Sequence, residues 1–231
     1  MNIKTKIFLA VVVFLFVEYA FFFYIDKPVA LYFSIAEITH APFVDFFRKI
    51  TDAGKSVWYL WPCGILTVFC SFLSRGKDVP LRYRRLFAYV GIRTLFLFAT
   101  IAISGIVADI IKPLLGRARP PLWLDDGLYG FVPLTFNSHW NSMPSGHTTT
   151  AFALGCSLCV FYPRLRPLWI FIALLLGISR VVVDAHYISD VIAGALLGWL
   201  TVRLFLKYGM YRIWKMVFPV ESLPGTTSSP S

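Results

Sequence analysis

Three short segments concentrate cations and histidines at spacings suited to handling a phosphate group. They are Lys112-Pro-Leu-Leu-Gly-Arg-Ala-Arg119-Pro120, then Pro144-Ser145-Gly146-His147, then Ser179-Arg180 followed by His186 and Asp190. A phosphoryl group in transfer spreads negative charge over its equatorial oxygens, so a site that moves it needs fixed cations and oriented donors. Lys112, Arg119 and Arg180 supply the cations, the arginines as planar forks and the lysine as a point charge. Ser145 and Gly146 stand just before the apolar run 148–160, where a helix is expected to begin with its unpaired N–H groups free to meet an anion. His186 and Asp190 are four residues apart, which on a helix is one face, so the carboxylate could accept from Nδ1 while Nε2 faces phosphorus. His186 is therefore the candidate nucleophile and His147, at the mouth of the cradle, the candidate general acid. A bound phosphate would favour the proton that His147 has to give away.

With these residues in place the chain resembles the type 2 phosphatidic acid phosphatase superfamily. That pattern reads Lys, six residues, Arg-Pro; then Pro-Ser-Gly-His; then Ser-Arg, five residues, His, three residues, Asp, and it matches without a gap. The resemblance covers residues 86–207. It implies a phosphohistidine intermediate at His186, an acid role for His147, orientation by Asp190, and phosphate contacts from Lys112, Arg119, Ser145, Gly146 and Arg180. It also implies a set of candidate substrates: undecaprenyl diphosphate, phosphatidylglycerol phosphate, phosphatidic acid and lipid A phosphates.

The elements that must position these groups lie in a membrane. Hydrophobic residues make up 58% of the chain and charged ones only 15%, with a mean hydropathy of +0.69, which is outside the range of soluble domains. Six stretches approach the length needed to cross about 30 Å of hydrocarbon: 7–25, 56–74, 94–111, 147–163, 167–184 and 188–206. The expected fold is all-α, a polytopic helix bundle forming one domain over 1–220, with a disordered Ser/Thr/Pro/Gly tail over 221–231. Phe43, Phe46, Phe47 and Ile50 follow helical spacing with Asp45, Arg48, Lys49 and Asp52 between them, as expected of an amphipathic helix lying in the interface.

Basic residues set the orientation. Lys4 and Lys6, the cluster Arg75, Lys77, Arg82, Arg84 and Arg85, the pair Arg164 and Arg166, and the group Arg203, Lys207, Arg212 and Lys215 mark cytoplasmic segments and two cytoplasmic termini. On the other side Lys27, Arg48, Lys49 and Lys55 are balanced by Asp26, Glu37, Asp45 and Asp52, and all three motifs fall there. The net charge of +10 reads as topology signal and adhesion to anionic lipid heads, so a nucleic-acid partner is not expected. The chain carries no Asn-x-Ser/Thr sequon, which fits a bacterial inner membrane better than the secretory pathway. The first span lacks a small-x-small cleavage site and reads as a retained helix.

Other residues carry less. Cys63, Cys70, Cys156 and Cys159 sit in apolar helices and read as small hydrophobes, with neither zinc nor a disulfide expected. Gly194 and Gly198 suggest close helix packing. Asp109, one turn before Lys112, could orient it; Asp125 and Asp126 are expected in a solvated loop kept extended by Pro120-Pro121. Arg93 could end the basic segment that begins at Arg75, and His139 could touch a headgroup. Arg117 is open between a second phosphate, a polar headgroup and water, and Glu18 has no assignment. The expectation is a phosphatase acting on a lipid phosphate or diphosphate at the outer membrane face, with no cofactor or metal. Two alternatives stand beside it: a lipid phosphotransferase using the same intermediate, and an anion transporter.

Overall fold

A computed structural model describes residues 2–209. The order is α1 (Ile3–Ala20), a π-helical turn over Phe21–Ile25, α2 (Asp26–Thr39), α3 (Ala41–Thr51), α4 (Val57–Arg75), α5 (Leu81–Leu115), α6 (Pro120–Asp126), α7 (Gly146–Phe161), α8 (Arg166–Val182) and α9 (Ile188–Leu204). Among the described residues no strand forms; a single isolated bridge joins Arg117 to Phe131. The tail assigned to 221–231 lies outside the described residues.

Among the described residues five helical runs are long and apolar enough to cross a membrane: 4–39, 41–75, 81–115, 163–182 and 188–209. Their outward residues, among them Phe8, Phe16, Trp61, Phe72, Ile106 and Phe171, are exposed, as a hydrocarbon-facing surface requires. The remaining expected span, 147–163, corresponds to α7, which is only 16 residues long. It sits in the middle of the bundle against α5, α8 and α9, and its Thr148, Thr149, Thr150, Ala153 and Ser157 are buried in protein.

The bounds depart from the sequence reading in places that matter. Helix α5 begins at Leu81, right after Pro80, so Arg82, Arg84 and Arg85 ride on helix instead of loop. Arginine is a good helix former and costs nothing on an exposed turn. The segment from Pro120 is not extended: Pro121 supports the first turn of α6, because proline at the start of a helix loses no hydrogen bond there. Asp125 and Asp126 are exposed as expected, at the end of that helix. In α3 the buried side chains are Val44 and Thr51, with Phe47 and Ile50 half-buried, whereas Phe43 and Phe46 point outward.

Two glycine devices position the site. Gly116 ends α5 in the left-handed conformation, φ +60°, and its N–H donates to the Lys112 carbonyl at 2.8 Å. A methyl there would meet the Val132 carbonyl oxygen at 1.7 Å, so only glycine lets the chain reverse and carry residues 117–119 back against the bundle. On α9, Gly194 and Gly198 let α7 approach so closely that added methyls would meet the Ser145 and Thr149 carbonyl oxygens at 2.6 and 2.5 Å. The glycine pair thus serves contact within one bundle, at the helix that carries the second motif. Gly198→Ala is expected to destabilise the protein by ~1–3 kcal/mol through overpacking, seen as a lower thermal midpoint in detergent. Gly105→Ala, where a methyl meets nothing within 4 Å, is the control expected not to lower it. Equal midpoints for Gly198→Ala and wild type would contradict the packing.

Candidate active site

All three motifs meet at one end of the bundle. Lys112, on the last turn of α5, pairs with Asp109 at 2.8 Å, and its ammonium lies 3.2 Å from where a Gly146 methyl would stand. The absence of a side chain at Gly146 therefore lets a cation reach the first turn of α7. Ser145 is fully buried; its N–H donates to the Asp190 carbonyl at 3.0 Å and its hydroxyl accepts from Thr148 at 3.0 Å. The exposed part of this helix start is accordingly backbone, whose first N–H groups have no carbonyl one turn behind them.

The arginines come from opposite sides. Arg119 is held by the loop before α7, donating from Nε to the Ser138 carbonyl at 3.0 Å and from its terminal nitrogen to that of Asn141 at 3.3 Å. Its own N–H donates to the His139 carbonyl at 2.9 Å, so His139 contributes a backbone contact here. Arg180, on α8, donates to the Thr51 hydroxyl of α3 at 2.8 Å while its Nε is buried without a partner among the described residues. Arg119 and Arg180 lie within electrostatic reach of each other and of His186. Two like-charged guanidiniums held together in a half-buried place are stabilised by an anion between them. His147 packs on Gly54, whose added methyl would meet the ring at 3.0 Å, within reach of Arg180, Lys112, Lys55 and His186.

His186 is buried at 4% exposure in the connection between α8 and α9, not on a helix. Its approach to Asp190 therefore does not come from a shared helical face. Asp190 occupies the first turn of α9, where its Oδ2 accepts from the Tyr187 N–H at 2.9 Å, and that capping contact folds the preceding residues over it. His186 Nδ1 lies 3.6 Å from Asp190 Oδ2 and 3.3 Å from the Ser142 hydroxyl, which itself donates to Oδ2 at 2.6 Å. The single Ser142 hydrogen is thus committed to Asp190, so its oxygen can only accept from Nδ1–H. That selects the tautomer with a bare Nε2. Burial, opposed by Asp190 and assisted by Arg119 and Arg180, pushes the His186 pKa down to about 4.

Arg117 faces neither water nor an open phosphate position. It is 1% exposed, donating to Asp190 Oδ1, the Ser189 hydroxyl and Asp26 Oδ2, each at 2.6 Å. Burial disfavours its charge, but Asp190 and Asp26 outweigh that and raise its pKa above the usual arginine range. Asp26, read from sequence as a surface charge, is 1% exposed. Glu18 has both carboxylate oxygens buried without a partner among the described residues, in a cavity of ≈ 270 Å³ that it shares with Arg117, Met143 and Ser189. Asp184, two residues before His186, is buried with φ +53°, and burial together with the charge of Glu37 pushes its pKa up to about 7. Ser142, Asp26 and Asp184 escaped the sequence reading, for no motif or period singles them out. Arg93 stacks on Tyr89 at 3.6 Å. All four cysteines are free thiols, Cys70 and Cys156 buried and the other two half-buried. Among the described residues no group of three His, Cys, Asp or Glu could hold a metal ion.

A helical membrane bundle with a cluster of cations and histidines at one end defines a class, and comparison with known proteins gives the family. The family model of the PAP2 superfamily matches residues 93–214. The lipid A 1-phosphatase of Rhizobium johnstonii is 36% identical over 177 residues, 74% of this chain and 71% of that protein. The bacitracin transport permease protein BcrC of Bacillus licheniformis is 30% identical over 182 residues, 75% and 88% of the two chains. The crystal structure of a transmembrane PAP2 type phosphatidylglycerolphosphate phosphatase from Bacillus subtilis shares the fold with a TM-score of 0.57 at 22% identity, covering 95% of this chain and 100% of that one. The chain belongs to the PAP2 superfamily, and with it to the phosphoric ester hydrolases.

The His186 environment can be read directly. Histidine-¹⁵N spectra in detergent, assigned by comparison with His186→Ala, are expected to show Nδ1 protonated and Nε2 bare at neutral pH, with a protonation midpoint near 4. A midpoint at or above the ordinary 6.5 would contradict the burial and tautomer deduced from the geometry.

Proposed function

We propose that this protein is a membrane lipid phosphatase that removes a phosphate through a phosphohistidine formed on His186. The observation that carries the reading is the convergence of Arg119 and Arg180 on an imidazole whose Nδ1 is engaged by Ser142 and Asp190, with Lys112 at the α7 helix start beside His147. In the proposed reaction the cations and the α7 N–H groups take the phosphate oxygens. The Nε2–P bond forms as the bond to the lipid oxygen breaks, and His147 gives its proton to that oxygen. Water then attacks phosphorus, His147 takes the proton back, and the N–P bond opens to release phosphate and neutral His186. Asp190 stabilises the imidazolium during both steps.

The substrate class we infer is a lipid phosphate, and among the candidates a lipid A-type glycolipid phosphate has the support of the Rhizobium relative. In this reading α7 completes six crossings, α3 lies in the interface, and the described residues act as one domain; the part of the expected domain over 210–220 lies outside them. The active end faces the periplasm of an inner membrane, with both termini cytoplasmic. The basic residues Arg75, Arg82, Arg85 and Arg164, at helix ends away from the three motifs, support that orientation. Phosphotransfer would use the same intermediate with another acceptor. An anion path is disfavoured because the motif cations gather at one end instead of lining a route across the bundle.

Purified protein given a panel of lipid A, phosphatidylglycerol phosphate, phosphatidic acid and undecaprenyl diphosphate is expected to release phosphate. The side-chain cations supply the charge stabilisation that a divalent ion would otherwise give, so EDTA should leave activity intact while vanadate inhibits. His186→Ala should be inactive yet folded, and Asp190→Asn should lose on the order of 10²-fold or more in turnover. Near wild-type release by His186→Ala, or loss with EDTA restored by magnesium, would refute the mechanism.

A further inference from the structure

Behind Asp190 lies a pair of charges, Arg117 and Asp26, that the proposed reaction does not use. Asp190 divides its oxygens: Oδ2 serves His186, Ser142 and the Tyr187 N–H, while Oδ1 takes the Arg117 guanidinium. Arg117 is in turn held from the far side by Asp26 of α2, and Ser189 ties the two together, donating its hydroxyl to Asp26 at 2.6 Å and accepting from Arg117 at 2.6 Å. The Ser189 N–H also donates to Asp26 at 3.2 Å. All three charged groups are at or below 1% exposure, so solvent does not screen them.

Asp190 paired with Arg117 alone would be a neutral couple, offering little field to an imidazolium. With Asp26 added, one cation is shared between two carboxylates and one unit of negative charge remains. We propose that Asp26 is a positioning residue of the active site: through Arg117 it fixes the Asp190 carboxylate and leaves it the charge to stabilise protonated and phosphorylated His186. This rests on the phosphohistidine reading for its kinetic consequence, whereas its electrostatic consequence does not. The other charged groups within reach of His186 are Arg180 from α8, Arg119 from the segment after α5, and His147 from α7; Glu18 faces Arg117 from α1.

The test compares wild type with Asp26→Asn, which keeps shape and removes charge, using dioctanoyl phosphatidic acid in detergent as probe. Turnover is expected to fall by about tenfold or more with KM within about twofold, because the phosphate contacts are untouched. The histidine-¹⁵N midpoint of His186 is expected to drop by roughly one pH unit, since the imidazolium loses a compensating charge. Unchanged turnover, or reduced turnover with an unmoved midpoint, would overturn the proposal and leave Asp26 a packing residue. Should Asp26→Asn fail to fold, Ser189→Ala removes the hydroxyl that joins the pair while keeping both charges. It is expected to lower turnover by about threefold or more at constant KM, and full activity would overturn the proposal. A lowered midpoint in a protein that releases no phosphate from any lipid would refute the phosphatase reading and sustain the charge relation.

Discussion

A guanidinium buried between two carboxylates is the interaction on which the rest of this structure depends. Desolvating three charges costs several kcal/mol per ion, and breaking such a cluster by removing one partner costs about 3–5 kcal/mol. The cluster is therefore tolerable only where the charges are paired: both terminal nitrogens of Arg117 meet carboxylates, while its Nε has no hydrogen-bond partner among the described residues. Gly116 turns the chain so that Arg117 can enter; the bridge to Phe131 and the Ser142 N–H on the Arg117 carbonyl hold that turn against the following loop. Rings of Phe22, Phe131 and Tyr187 surround the guanidinium at 4.9–5.6 Å, completing its shell with π faces where water is excluded. Through this one residue α2, the segment after α5, and the start of α9 are locked in register.

The same cluster explains how the site divides its charge. Two kinds of charge act on His186: the cations Arg119 and Arg180, and Asp190 backed by Arg117 and Asp26. An imidazole under both is kept neutral by burial, yet any positive charge that develops on it meets a carboxylate already oriented. In the proposed reaction the arriving phosphate reverses the field of the cations. Ground state and intermediate are thus served by opposite edges of one ring, Nε2 toward the phosphate and Nδ1 toward Asp190.

What could be read in the sequence was chemistry expressed as local spacing. Lys112, Arg119, His147, Arg180 and His186 announce themselves because the family pattern is short and ungapped, and the helices because apolar runs of this length are rare outside membranes. Reading His186 and Asp190 as a helical pair reached the right partners by the wrong geometry, since His186 precedes α9 and the contact is made by a cap. Asp26 was not legible at all: an aspartate beside a lysine at the end of an aromatic run looks like an interfacial charge, and its partner lies 91 residues away. Ser142 is a common residue in a loop, and its role appears only once the loop lies over Asp190. The shape of the segment after Pro120 was also missed, because paired prolines favour both extended chain and a helix start, and tertiary context decides between them.

The account stands or falls on the bond made by His186. Rapid quench of the purified enzyme with ³²P-labelled lipid phosphate, followed by proteolysis and mass spectrometry, measures it most directly. The account predicts an acid-labile, base-stable phosphoryl adduct on the peptide containing His186, formed and lost at rates compatible with turnover and missing from His186→Ala. Burst-free turnover with no adduct at His186, or an adduct on another residue at turnover-competent rates, would contradict it.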